Sequence, residues 1–268
     1  MECCVKASAR ADNSPQSMQT SQPSREARTA IEPGFAWDGQ DAYLFDIDGT
    51  LLRSRDRVHV EAFAATVRRV TGFEVTLTGV VLHGSTDTAI LREACSHAGI
   101  PADVLESQIA AILEGMCNHV AERRQELELV LMPGVQETLS HLADQGALLG
   151  VATGNLEIIG WIKIEQAGLR EWFRFGGFSD RFPVRAELIA YAARKARELA
   201  GSSARVCVVG DTPRDIEAAR ANKLPVIAVA TGHYTFEDLL EHRPEVCTNS
   251  MADLLAREGL LAREGGFA

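Results

Sequence analysis

Short apolar runs that end in polar residues alternate with longer helical stretches along most of this chain. Residues 43–45, 148–152, 206–209 and 226–230 are continuous apolar runs, the pattern of strands buried on both faces. Residues 135–145, 158–167, 188–200 and 216–221 lie between or beside them and read as helices. That order predicts an α/β fold: a Rossmann-like doubly wound parallel sheet with helices on both faces. Ligands of such sheets bind beyond the carboxyl ends of the strands. Three of these strands run straight into polar residues there, namely Asp46 and Asp48, Thr153 and Asn155, and Asp211.

Residues 53 to about 132 break the alternation. Segments 58–70, 86–98 and 103–122 have helical character, Gly99-Ile100-Pro101 separates two of them, and Met132-Pro133-Gly134 marks the return to the core. Residues 1–36 are rich in Ser, Gln, Ala, Arg and Pro with almost no large apolar side chains, too few to offset the entropy of ordering. The expected organisation is a disordered tail over 1–36, a catalytic core from 37–54 and 133–250, an inserted α-helical cap over 55–132, and a C-terminal helix and tail over 251–268.

Composition narrows the partners. The chain has 268 residues, 46% of them hydrophobic and 24% charged, which suits a globular core. A net charge of -10 argues against nucleic acid and against an anionic membrane surface. It leaves room for an anionic substrate, because a bound divalent cation reverses the local field. Six cysteines show neither Cys-x-x-Cys nor a zinc pattern, and Cys207, inside an apolar strand, is expected to be a small core residue. No apolar run is long enough for a membrane span and the amino end lacks the apolar stretch of a secretory signal, so a reduced, cytoplasmic protein is expected.

Candidate chemistry concentrates at the strand ends. Asp46 and Asp48 are two residues apart in Phe45-Asp46-Ile47-Asp48-Gly49-Thr50, so an extended backbone sends both carboxylates to one side, and Gly49 permits a sharp turn close to a ligand. Such a pair suits attack by one member and proton transfer by the other. Val151-Ala152-Thr153-Gly154-Asn155 closes a strand with a hydroxyl and a close-approaching backbone N–H, both suited to a phosphate oxygen. Val209-Gly210-Asp211-Thr212-Pro213-Arg214-Asp215 ends another strand in an acid and puts a second acid at a helix start, where it either caps the helix or serves the site. Neither Gly-x-Gly-x-x-Gly nor Gly-x-x-x-x-Gly-Lys occurs, so a nucleotide-loop reading has no support.

In these motifs the chain resembles the haloacid dehalogenase superfamily, over roughly residues 41–250. Asp46-x-Asp48-x-Thr50 stands at the first motif, Thr153 at the second, and Gly210-Asp211-x-x-x-Asp215 at the last. Gly84-Ser85-Thr86-Asp87 ahead of Ile90-Leu91 is similar to a feature of phosphoglycolate-phosphatase-like members with a helical cap. The resemblance implies Mg2+-dependent hydrolysis of a phosphomonoester of a small metabolite through an aspartyl-phosphate, with phosphoglycolate the family-level candidate. It makes Asp46 the nucleophile and Asp48 the proton donor and acceptor, and sets Thr153, Gly154 and Asn155 around the phosphate. Magnesium would lie on Asp46, the main-chain carbonyl of Asp48, Asp211 and Asp215. Thr86 and Asp87 would face the substrate or, equally, cap the helix that follows. A phosphomutase or a haloacid dehalogenase of the same superfamily is the alternative. Asp48 argues against dehalogenation, since a departing halide needs no proton. The complete carboxylate set argues against a non-catalytic phosphate-binding protein.

One element departs from the pattern, a lysine near the start of the helix before the last catalytic strand. The lysines are Lys6, Lys163, Lys195 and Lys223, and Lys195 lies roughly 15 Å along that helix from Arg185 at its start. Arg185, in preference to Arg181, is expected to carry the missing charge, its guanidinium bridging the phosphate and a carboxylate of Asp46 or Asp211. His83 is expected to be a packing or surface histidine.

Overall fold

The computed structural model describes residues 28–260. From the amino end, β1 (Thr29–Ile31) leads through a loop to β2 (Ala42–Phe45), β3 (Leu52–Ser54) and three helices, α1 (Val58–Thr71), α2 (Asp87–His97) and α3 (Ala102–Glu122). β4 (Leu129–Leu131) returns the chain to a regular alternation of α4 (Val135–Asp144), β5 (Leu148–Ala152), α5 (Glu157–Gln166), β6 (Phe175–Gly177) and α6 (Arg185–Ala200). β7 (Val206–Gly210), α7 (Pro213–Ala221), β8 (Val226–Val229), α8 (Phe236–Glu241), β9 (Val246–Thr248) and α9 (Met251–Arg257) complete it.

The main sheet has seven strands in the order β1-β9-β8-β7-β2-β5-β6. All pairings are parallel except that of β1 with β9. Successive side chains leave a strand on opposite faces, and the two faces are sorted accordingly. Tyr43, Phe45, Leu149, Val151, Cys207 and Val209 pack with Leu139 and Leu142 of α4 and Leu254 of α9. Ala42, Leu44, Ala152, Val206 and Val208 pack with Leu188, Ala192 and Ala196 of α6 and Ile216 of α7. Both faces are thus covered by helices, as a parallel sheet requires, and the expected α/β doubly wound sheet is present.

Register sets the edge where chemistry can occur. β2 lies between β5 and β7, with Phe45 opposite both Val151 and Val209. Because all three strands run the same way, Asp46, Thr153 and Asp211 emerge next to one another at their carboxyl ends.

Between β3 and β4, which pair as a two-stranded antiparallel ribbon with Leu52 opposite Leu131, stand the three helices α1–α3. Their apolar faces meet in a cluster that includes Phe63, Leu91, Ile112 and Met116, and the same cluster takes in Leu156, Ile159 and Ile162 from the start of α5. The three-helix segment therefore shares its core with α5 rather than closing on itself.

Residues 28–36 depart from the expected disordered tail. Thr29–Ile31 adds an antiparallel strand to β9, with Thr29 opposite Thr248 and Ile31 opposite Val246, so the segment gains its order from sheet hydrogen bonds, with Ile31 and Ala30 packing against the cores on the two faces. The rest of the expected tail, with Cys3 and Cys4, lies outside the described residues, as do residues 261–268. The four other cysteines are buried and unbridged. No helix of the described residues is long and apolar enough to cross a membrane.

Leu139 lies wholly buried between α4 and the sheet. Leu139→Ala is expected to lower the unfolding free energy by about 3 kcal/mol, read from urea denaturation with an unchanged slope. A loss below about 1 kcal/mol would contradict the packing described.

Candidate active site

Asp46, Asp211 and Asp215 meet at the carboxyl edge of β2 and β7, where they are 6%, 3% and 1% exposed. One oxygen from each lies within 4.8 Å of the others. The backbone is shaped to let them approach. Gly49 has φ +90, and a Cβ there would run into the Asp211 carboxylate, so a residue with a side chain would be both strained and blocked. Thr50 Oγ1 donates to Asp211 Oδ1 at 3.0 Å, which fixes that carboxylate.

Arg185 is the cation of this cluster. It opens α6, and its Nη2 lies 2.9 Å from Asp46 Oδ2 and 2.6 Å from Asp215 Oδ1. Its Nε donates to Asp215 Oδ1 at 2.8 Å. Of the two carboxylates expected to share the guanidinium with a phosphate, Asp46 or Asp211, it is Asp46 that it reaches, and it holds Asp215 as well. Asp215 caps the helix, its Oδ2 accepting from the backbone N–H and hydroxyl of Thr212 in a capping box at the start of α7, while its Oδ1 holds the arginine. Lys195 points away and pairs with Glu198 at the surface, and Arg181 is exposed.

Three carboxylates against one guanidinium leave the cluster negative. Burial pushes the Asp46 carboxyl up to about 6, with Asp215 and Asp48 adding to the shift and Arg185 opposing it. Asp211 is raised well above the usual carboxylate range, first by burial and then by the charges of Asp46 and Asp215. Burial alone would weaken the Arg185 proton, but Asp215 and Asp46 hold it more firmly than usual.

Asp48 sits in a second cluster with opposite electrostatics. Lys163 Nζ donates to both its oxygens, at 2.9 and 2.7 Å, and to Asn155 Oδ1 at 2.9 Å. Asn155 Nδ2 donates to Asp48 Oδ2 and to Thr153 Oγ1, each at 2.8 Å. Burial would raise the Asp48 carboxyl, yet the charge and hydrogen bonds of Lys163, with that of Asn155, hold it below the usual range.

Lys163 was not singled out by sequence reasoning. A usable signal existed: it lies four residues after Ile159 on an otherwise apolar helix, hence on the same covered face, and it is 2% exposed. His59 on α1 was missed too. Its Nδ1 is 3.2 Å from Lys163 Nζ and its Nε2 is 3.1 Å from Asp87 Oδ2. An ammonium can only donate, so Nδ1 accepts and Nε2 donates to Asp87.

Asp46, Asp48, Asp211, Arg185, Lys163, Asn155 and His59 line one cavity of about 490 Å3, together with Thr153, Gly154 and Asp87. Asp87 ties the three-helix segment to the core, since its backbone N–H donates to the Gly154 carbonyl at 2.7 Å and its carboxylate accepts from Leu156 N–H at 2.9 Å. A Cβ on Gly154 would strike the Ser85 carbonyl, so glycine is needed for that approach. Thr86 stands behind the cavity wall. Its hydroxyl accepts from Ala89 N–H as the cap of α2 and donates to the Pro183 carbonyl, which leaves it no part in the cavity. His83 does line the cavity, stacked on His233 with ring centroids 4.3 Å apart.

A family model described as a haloacid dehalogenase-like hydrolase matches residues 40–222. Among curated relatives, the phosphoglycolate phosphatase of Agrobacterium fabrum is 29% identical over 216 residues, 79% of this chain and 89% of that protein. That of Xanthomonas campestris pv. campestris is 30% identical over 209 residues, 74% and 86% of the two chains. Among solved structures, a predicted phosphoglycolate phosphatase from Haemophilus somnus superposes with a TM-score of 0.59 at 19% identity, covering 82% of this chain and 98% of that one. CbbY from Rhodobacter sphaeroides in complex with phosphate gives 0.55 at 22% identity, covering 73% and 88%. At those identities the structures share the fold.

The raised proton affinities carry a stability prediction. Asp46 and Asp211 bind protons more tightly folded than unfolded. The metal-free protein therefore loses stability as pH rises from about 4 through the Asp46 value. A divalent cation needs the ionised carboxylates and gains over the same interval. Saturating magnesium is expected to raise Tm by roughly 3–8 °C at about pH 7.5 and far less at about pH 5. An equal shift at both values, or none at the higher, would refute the cluster as a cation site.

Proposed function

The chain belongs to the haloacid dehalogenase-like hydrolases, and from that membership we propose that it is a magnesium-dependent phosphomonoester hydrolase acting on a small phosphorylated metabolite. The observation that carries the reading is the buried trio of Asp46, Asp211 and Asp215, of which Asp46 and Asp211 line one cavity with Asp48, Thr153 and Arg185. Hard oxygen donors and uncompensated negative charge suit magnesium. Asp46, Asp211 and the main-chain carbonyl of Asp48 would hold it, with Asp215 steadying it from the side. Bound there, it would cancel the repulsion among the acids and draw charge from phosphate oxygens.

Each residue then has a step. Asp46 attacks phosphorus, forming an acyl-phosphate bond as the bond to the leaving oxygen breaks, and Asp48 gives that oxygen its proton. In the second step Asp48 takes a proton from water, whose oxygen attacks phosphorus and releases phosphate and free Asp46. Lys163 holds Asp48 in the ionised form that the second step needs, and an approaching phosphate dianion raises its proton affinity for the first. Thr153 Oγ1 accepts from Asn155, which leaves its own proton for a phosphate oxygen. The Gly154 N–H and the Arg185 fork add to the charge stabilisation in which most phosphoryl-transfer catalysis resides. The three-helix segment acts as the cap that excludes water and selects the leaving group. Phosphoglycolate, the compound in the curated relatives' names, is the first to assay.

Asp46→Asn is expected to bring turnover of a small phosphomonoester to background with the fold intact by circular dichroism, and exhaustive chelation of the parent protein to do the same reversibly. Appreciable turnover by a clean Asp46→Asn preparation would remove Asp46 from the nucleophile's role.

Lys163→Met keeps the bulk of the side chain and removes its charge. Turnover of an alkyl phosphate and of para-nitrophenyl phosphate should both fall about 100-fold with the fold intact by circular dichroism, because the two esters share the second step, in which Asp48 takes a proton from water. Unchanged turnover of both esters would show that the ionised state of Asp48 does not depend on Lys163.

A further inference from the structure

The cavity is far larger than a phosphoryl group requires. At about 490 Å3 it falls among sites that enclose a whole drug-sized ligand, and its two ends differ in chemistry. The sheet edge supplies the carboxylates, Thr153 and the cations. The facing wall comes from the three-helix segment and consists of Val60, Phe63, Leu77, Leu82 and Ile90. Phe63 and Ile90 are rooted in the segment's core. Val60, Leu77 and Leu82 remain half-buried, their free surface turned to the cavity that they line.

Charge sorts the two ends further. The lysines and arginines lining the cavity are Arg53, Lys163 and Arg185, and none comes from the three-helix segment. Lys163 is taken up by Asp48 and Asn155, and Arg185 by Asp46 and Asp215. Arg53, on β3, donates to the Thr231 carbonyl at the core rim. Besides the apolar wall, the segment lines the cavity with the acids Asp56 and Asp87 and with His59, His83, Gly84 and Ser85. Asp56 accepts from Ser54, Val58 N–H and Glu128 N–H, and Asp87 from His59 and Leu156 N–H. Both acids are already hydrogen-bonded, so they call for no ligand cation, but they repel an anion. Burial and the neighbouring His233 lower the proton affinity of His83.

We propose that the leaving group accepted here is an uncharged, apolar alcohol long enough to reach that wall, so that the substrate is the monophosphate of such an alcohol instead of a phosphorylated hydroxy acid. The proposal rests on the phosphohydrolase reading above. A carboxylate at the wall would lose its hydration without gaining a cation from that wall, and glycolate offers only two carbons to the apolar surface. Each methylene placed against the wall contributes roughly a fourfold gain in affinity.

Binding and turnover test the proposal separately. With magnesium present, calorimetry is expected to show benzylphosphonate binding at least tenfold more tightly than phosphonoacetate, the non-hydrolysable counterpart of phosphoglycolate. Turnover of benzyl phosphate should exceed that of phosphoglycolate by a similar factor in kcat/KM. Leu82→Lys, or Val60→Lys should the first fold poorly, puts a cation on the wall and should reverse the ranking of the two phosphonates. Phosphonoacetate binding as tightly as benzylphosphonate, or a ranking untouched by both lysine variants, overturns the proposal. Tighter benzylphosphonate binding with neither ester hydrolysed upholds it and sinks the hydrolase reading instead.

Discussion

Asp46, Asp211 and Asp215 are drawn out of water at one sheet edge with a single guanidinium among them, and most of the local structure follows from accommodating that charge. An unpaired buried charge costs several kcal/mol. Part of the cost is met by Arg185, part by Thr50 and the Thr212 capping box, which give Asp211 and Asp215 fixed donors. The rest appears as raised proton affinity in Asp46 and Asp211. Glycine at 49 and 232 is required because a Cβ at either position would occupy the space of the Asp211 carboxylate.

Two aspartates only two residues apart are thereby placed in opposite electrostatic surroundings. Asp46 shares its cation with other acids and is pushed up, while Asp48 has Lys163 almost to itself and is held down. Divergent proton affinities in a pair of neighbouring acids are the arrangement by which one site divides its roles. Without a further cation the proposed nucleophile is the member of the pair that holds its proton more tightly, the less favourable order for attack. Magnesium would correct this locally, so in this reading the metal makes the nucleophile as well as steadying the phosphate.

Much of the sheet and part of the site were legible in the chain because both follow from local pattern. Residues 148–152 read as a strand and are β5 in full, since a continuous apolar run between polar ends has few other uses in a parallel sheet. Strand ends carrying Asp46, Thr153 and Asp211 point to a shared edge once the strands are parallel. Thr29–Ile31 was missed because its order comes from hydrogen bonds to β9, 215 and more residues away in sequence, which no local composition reports. Lys163 was missed for a related reason: its partners Asp48 and His59 lie 115 and 104 residues off, and only its place on the covered face of α5 hinted at them. Arg185 was legible as a charge at a helix start, but which acids it would bridge depended on the depth of Asp215, a matter of packing.

Generic chemistry and particular recognition are divided between two sources in this chain. The sheet edge supplies acids, hydroxyl and cations, and the three-helix segment supplies an apolar wall and the His59–Asp87 pair. The two are not independent. Asp87 hydrogen-bonds the backbone on both sides of Asn155, and His59 touches the lysine that holds Asp48. Leu156, Ile159 and Ile162 of the core are buried in the segment's own cluster. Any opening that pivots on the β3–β4 ribbon would have to uncover those side chains, at roughly 1.5–3 kcal/mol for each one fully exposed, and break the Asp87 contacts as well. Entry of a substrate therefore has to work against the same contacts that position the proton-transfer aspartate, so that recognition at the wall and protonation at the edge are coupled through one helix, α5.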